Sequence, residues 1–126
     1  MTTDQKKAFL LMKSVIFHNH GLAEEEIKAL TETAAILEAT DELKWTQEFI
    51  SQDIPNAFER AREYLNQLAT HWDNDTKLEH LSQVWDSTNE KGFISEMEAT
   101  TILKLAKDWR IQQELMMLVR KKRNVS

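Results

Sequence analysis

Cysteine is absent from the chain, which removes any disulfide framework and any thiolate metal site. Proline occurs once, at Pro55, and glycine twice, at Gly21 and Gly92, in 126 residues. So few chain-breaking residues, with β-branched runs also sparse, exclude the turn-dense patterns of sandwiches and small barrels. No apolar stretch approaches the roughly 20 residues of a membrane span. The apolar run after Lys6 and Lys7 is too short for a secretory signal, so cytoplasmic placement is the default expectation. Positive charge is the minority: 16 Lys and Arg stand against 21 Asp and Glu, and the net charge of −5 argues against a nucleic-acid ligand.

What remains is a helical composition. Hydrophobic residues make up 41% and charged residues 29%, the balance of a soluble globular protein with its own core. The expected fold is all-α, a single-domain compact bundle of about seven helices. Asp4 or Thr3 is placed to cap the first helix, whose stripe is Ala8, Leu11, Met12, Val15 and Ile16. The second helix begins near Ala23 with Glu24, Glu25 and Glu26 at its positive end, and buries Ile27, Leu30, Ala34 and Leu37. After Thr40-Asp41 a third runs from Asp41 to Ser51, with Leu43, Thr46, Phe49 and Ile50 inward and Trp45 off that stripe.

Pro55 opens the fourth helix, striped by Phe58, Ala61, Leu65, Leu68 and Trp72. The turn Asp73-Asn74-Asp75-Thr76 caps the fifth, with Leu78, Leu81, Val84 and Trp85 on its core side. Ala99, Ile102, Leu103 and Ala106 stripe the sixth, a joint is expected at Asp108-Trp109-Arg110, and Ile111, Leu115, Leu118 and Val119 stripe the seventh. Arg120-Lys121-Lys122-Arg123 closes it, at the negative end of the helix dipole.

The most informative stretch is Gly92-Phe93-Ile94-Ser95-Glu96-Met97-Glu98. Glycine adopts the left-handed backbone that stops a helix, Ile94 supplies one apolar plug, and Ser95 with Glu98 has the spacing of a capping box. Gly21-Leu22-Ala23-Glu24-Glu25-Glu26 is a weaker copy. Setting Leu22 on Ile94, a shift of 72 residues, also places Glu26 on Glu98, Leu30 on Ile102, Ala34 on Ala106, Glu42 on Glu114 and Leu43 on Leu115. The shift suggests an internal helix-loop-helix duplication, with repeat units at about 4–52 and 75–123, packed about a local twofold axis.

The chemistry on offer is modest. The central loop meets part of the EF-hand template, with Gly92, Ile94 and Glu98 at loop positions 6, 8 and 12, but Ser87 is a poor first ligand and Lys91 at the fifth repels a cation. His18 and His20 near Glu24 or Glu26 could form a weak zinc or nickel site, or simply favour a helix end. His71, Asp73, Asp75 and His80 gather around one turn that capping alone explains. The chain has no nucleophile elbow, phosphate loop or His-Glu-x-x-His helix to support an enzyme. Trp45 with Phe49 four residues later could form an exposed aromatic patch for a protein partner.

Gly-x-Ile-Ser-x-x-Glu inside a duplicated helical unit resembles the TerB-like family, named for tellurite-resistance proteins. The second unit matches at Gly92, Ile94, Ser95 and Glu98, and the first at Gly21, Leu22 and Glu26. The family's Asp before each Gly is replaced by His20 and Lys91, the positions a divalent ion or charged partner would use. The resemblance implies a fold of about seven helices and a non-catalytic, stress-associated interaction module; no cofactor is expected beyond a possible divalent metal ion. The alternative is a divalent-metal domain using Glu26, Glu98, Glu90 and His20, and a small enzyme is a remote third.

Overall fold

Helix is the only regular structure among the described residues of the computed structural model, which are 1–19, 24–92 and 94–125, side chains of 19, 91 and 122–125 excepted. Gly21, Leu22, Ala23, His20 and Phe93 lie outside them. Seven α-helices follow in order: α1 (Thr3–Asn19), α2 (Glu24–Ile36), α3 (Thr40–Ser51), α4 (Ala57–Ala69), α5 (Asn74–Thr88), α6 (Glu96–Asp108) and α7 (Gln112–Val125). Short 3-10 turns occupy Ile54–Asn56 and Asn89–Lys91. The chain divides into two compact units, Met1–Leu65 and Asn66–Ser126, and the two predicted repeats fall one in each.

In the first unit α1, α2 and α3 all pack on one another. The cap of α1 is Thr2, not Thr3 or Asp4. Gln5 N–H donates to Thr2 Oγ1 at 3.1 Å and Thr2 N–H to Gln5 Oε1 at 2.9 Å, a reciprocal box one residue earlier than expected. Nor is α1 amphipathic: every residue from Ala8 to Ile16 is buried. A helix apolar on all sides belongs inside a core, and the unbroken run Phe9-Leu10-Leu11-Met12 is the reason here. Even Lys13 is buried, its Nζ 5.4 Å from the centre of the Phe17 ring and 5.8 Å from that of Phe9.

α2 buries Leu30 and Ala34, whereas Ile27, expected in the same stripe, is 42% exposed on its outer side. The helix ends without glycine. Glu38 takes φ 53°, Glu38 N–H donates to Ala35 O at 3.2 Å, and Ala39 N–H reaches back to Ala34 O at 2.7 Å. This is a Schellman motif with a glutamate in the left-handed position. Lys6 Nζ donates to the Glu38 carbonyl at 3.2 Å and so ties the stop to α1.

In the second unit α5, α6 and α7 likewise all pack on one another. Asp73 Oδ1 accepts from Thr76 N–H at 2.7 Å and starts α5 as the sequence implied. The α-helix stops at Thr88, and Gly92 ends the 3-10 extension rather than the helix itself. A Cβ at Gly92 would meet no atom within 4 Å, so its φ of +96°, not space, calls for glycine. α6 then stops as α2 does: Arg110 takes φ 61°, Arg110 N–H donates to Lys107 O at 3.1 Å and Ile111 N–H to Ala106 O at 2.9 Å. Leu81, Val84, Ile102, Leu105, Ala106, Trp109, Ile111 and Leu115 close the unit's core.

Candidate functional site

Ser95 and Glu98 form the most defined feature of the loop between α5 and α6. Ser95 N–H donates to Glu98 Oε1 at 2.9 Å, and Glu98 N–H to Ser95 Oγ at 3.2 Å. Both halves of the capping box are made, and Glu98 is 1% exposed. The Glu98 carboxylate is folded back onto its own helix start through Oε1.

The other residues predicted as metal ligands fall on separate segments: Glu26 in the first unit and Glu90 in the second. Glu90 is exposed in the 3-10 turn, Glu26 is half-buried in the first turn of α2, and His20 lies outside the described residues. Among the described residues no group of three or more His, Asp or Glu side chains is close enough to hold a metal ion. The residues around the α4–α5 turn differ in setting. His71 and Asp75 are exposed, and Asp73 caps α5, the Thr76 side chain and then its backbone N–H holding its carboxyl below the usual range.

Trp45 and Phe49 do meet, as their spacing suggested, with ring centres 5.4 Å apart. Tyr64 of α4 joins them at 5.2 and 5.8 Å. Tyr64 lies on α4, beyond any local sequence window around Trp45 and Phe49. All three rings are half-buried rather than openly exposed. Lys7 Nζ stands 4.9 Å from the Trp45 ring centre. The Arg60 guanidinium stands 4.5 Å from that of Phe49 while donating to Phe49 O at 2.8 Å and Gln52 Oε1 at 3.1 Å. Burial, and then the Asp4 charge, push the Tyr64 hydroxyl above its ordinary pKa. The cluster is thus a group of three mutually tilted aromatic rings flanked by two cations.

A third cluster, in the second unit, was not anticipated. α4 ends at Ala69, so Trp72 leaves the predicted stripe and enters the following turn. It meets Trp109 edge-on at 5.8 Å and His80 at 5.0 Å, and His80 lies 6.3 Å from Trp109. Trp109 Nε1 donates to Asn66 Oδ1 at 3.0 Å, and Asn66 Nδ2 donates to Asp108 Oδ2 at 3.0 Å. His80 is buried, and loss of hydration lowers its pKa to about 4, so the imidazole is neutral at physiological pH. The available signal was its place beside Leu81 and four residues before Val84, on the core side of α5.

Comparison with protein-family models, with curated proteins and with solved structures finds no match to this chain. Among the described residues no helix is long and apolar enough to cross a membrane.

Proposed function

We propose that this chain is a non-catalytic helical interaction module of TerB-like type, built from a duplicated helix-loop-helix unit. The observation that carries the proposal is the repeated helix stop. Leu37, Glu38 and Ala39 donate to Thr33, Ala35 and Ala34, and 72 residues later Trp109, Arg110 and Ile111 donate to Leu105, Lys107 and Ala106. Glu24–Ile36 and Glu96–Asp108 have equal length at that same shift, and α3 and α7 also start 72 residues apart. A duplicated unit with the Gly92, Ile94, Ser95, Glu98 motif is what the resemblance rests on.

The role of interaction rather than ion binding is favoured by Glu98. Its carboxylate accepts from the Ser95 N–H, and Lys91 and His20 stand where the family has aspartates. The motif residues here organise a helix start, and what they position is the surface of the helices.

Thermal melts with calcium, magnesium, zinc and nickel test this reading, because an ion bound to the folded state raises the midpoint by mass action. The expected result is the same midpoint with and without each ion. A rise that disappears in the Glu26→Gln, Glu98→Gln double variant would replace the proposal with the divalent-ion reading. Affinity capture from the native host supplies the positive arm. It should return one protein in stoichiometric amount, and capture of nothing above background would count against the module.

A further inference from the structure

The outer faces of α2 and α7 are complementary, and we infer that they are the two halves of a head-to-tail contact between copies of this chain. On α2, Ile27, Thr31 and Ala35 follow at four-residue steps, all exposed, with Glu24 on the same side. Thr31 Oγ1 donates to Ile27 O at 3.0 Å, so its hydroxyl is already engaged with its own helix. On α7, Ile111 and Leu115 face the core, and Gln113, Met117, Arg120 and Lys121 lie on the opposite, exposed side. Met117 is 64% exposed and its neighbour Met116 38%.

Charge selects the occupant. α2 carries Glu24, Glu25, Glu26 and Glu32 against Lys28, and the described side chains of α7 include Arg120 and Lys121 against Glu114. The acids crowd the first turn of α2 and the cations the last turns of α7. Laid antiparallel, Arg120 and Lys121 meet Glu24, Met117 meets Ile27, and Gln113 meets Thr31. The helix dipoles then also oppose one another favourably. Lys28 and Glu114 flank the two faces and are themselves of opposite sign.

An anionic lipid surface would suit the cations but not the rest. Ile111 and Leu115 are committed to the core, and among the described side chains of α7 Met116 and Met117 are the exposed large apolar ones that lipid could take. The chain as a whole carries −5 and would be repelled. The matching acidic and apolar surface, by contrast, is present in every copy.

The inference goes beyond the family-type reading and does not rest on it. Sedimentation equilibrium tests it on the full chain from about 10 to about 500 µM, the range for a contact smaller than a standard interface. The expected result is concentration-dependent association at low salt that weakens at about 0.5 M NaCl, where exposed charges are screened. Ile27→Asp and Met117→Asp replace exposed residues, and each variant alone should stay monomeric. An equimolar mixture of the two should recover a one-to-one dimer, because each supplies the face the other has lost. The double variant Arg120→Glu, Lys121→Glu gives a second route that leaves the apolar residues in place. It should weaken self-association about tenfold or more and regain it when mixed with Glu24→Lys, Glu25→Lys. A wild-type monomer throughout, variants that associate as wild type, or a mixture that stays monomeric would each overturn the inference. So would binding to phosphatidylserine vesicles that Met117→Asp abolishes in a chain that never self-associates.

Discussion

Glu38 and Arg110, 72 positions apart, adopt the same left-handed backbone, at φ 53° and 61°, each just past the end of a 13-residue helix. In both cases the next residue, Ala39 or Ile111, is buried and donates back across five positions. A side chain in this conformation costs about 1 kcal/mol or more, which glycine avoids, against about 0.4–1 kcal/mol for its looser unfolded chain. Glu38→Gly and Arg110→Gly, both at exposed positions, are therefore expected to stabilise the protein by up to about 1 kcal/mol each. Urea unfolding of the two variants checks this, and a loss of stability in both would show that the side chains themselves hold the turns.

Burial of His80 makes stability depend on pH. In the unfolded chain its imidazole binds a proton near 6.5, and in the fold only near 4. Between those values the unfolded chain holds more protons, so the contribution is complete above the first value and declines as pH falls toward the second. At about 1.4 kcal/mol per pH unit the loss reaches about 3 kcal/mol. Denaturant midpoints for wild type and His80→Leu, compared from pH 7 to 4, should show a steeper fall for wild type. An NMR titration that placed the His80 ring near 6.5 would remove the explanation.

Asn66 links two partners in the second unit, accepting from the Trp109 indole and donating to Asp108. Asn66→Ala leaves a buried indole N–H without that acceptor and should cost about 1–3 kcal/mol. The same substitution made in a Trp109→Phe background should cost less, because the donor has gone. Equal costs in both backgrounds would mean that Asn66 acts through Asp108 alone.

Ser95 and Glu98 cap α6 reciprocally, so Ser95→Ala should lower stability by about 1 kcal/mol. Repeated in Glu98→Ala, the change should cost measurably less, since half of the box is already missing. Strict additivity in chemical denaturation would argue that the two hydrogen bonds act independently.

What could be read in advance was what lies within a few residues. Ser95 with Glu98, Asp73 with Thr76, and the stop at Asp108-Trp109-Arg110 are local arrangements whose chemistry is visible in the letters. The left-handed backbone of Glu38 and of Arg110 was not visible, because a charged residue in that conformation leaves no compositional mark and no glycine stands at either position. Trp72 was assigned to a stripe because its spacing continued one, whereas the helix had already ended at Ala69. His80 was grouped with His71, Asp73 and Asp75 around one turn, whereas its ring packs 6.3 Å from that of Trp109, far along the chain. Tyr64 completes the Trp45 and Phe49 group for the same reason: tertiary packing sets it, not periodicity.

The closure of Ala8 to Ile16 on every side has a consequence for synthesis. α1 leaves the ribosome before α2 and α3, the helices that lie against it. Until α3 has emerged, Phe9, Leu10, Leu11 and Met12 form a greasy, unshielded stretch on the nascent chain. Such a stretch is a natural foothold for a holding chaperone, and a stall in translation before Ser51 would leave it a route to aggregation.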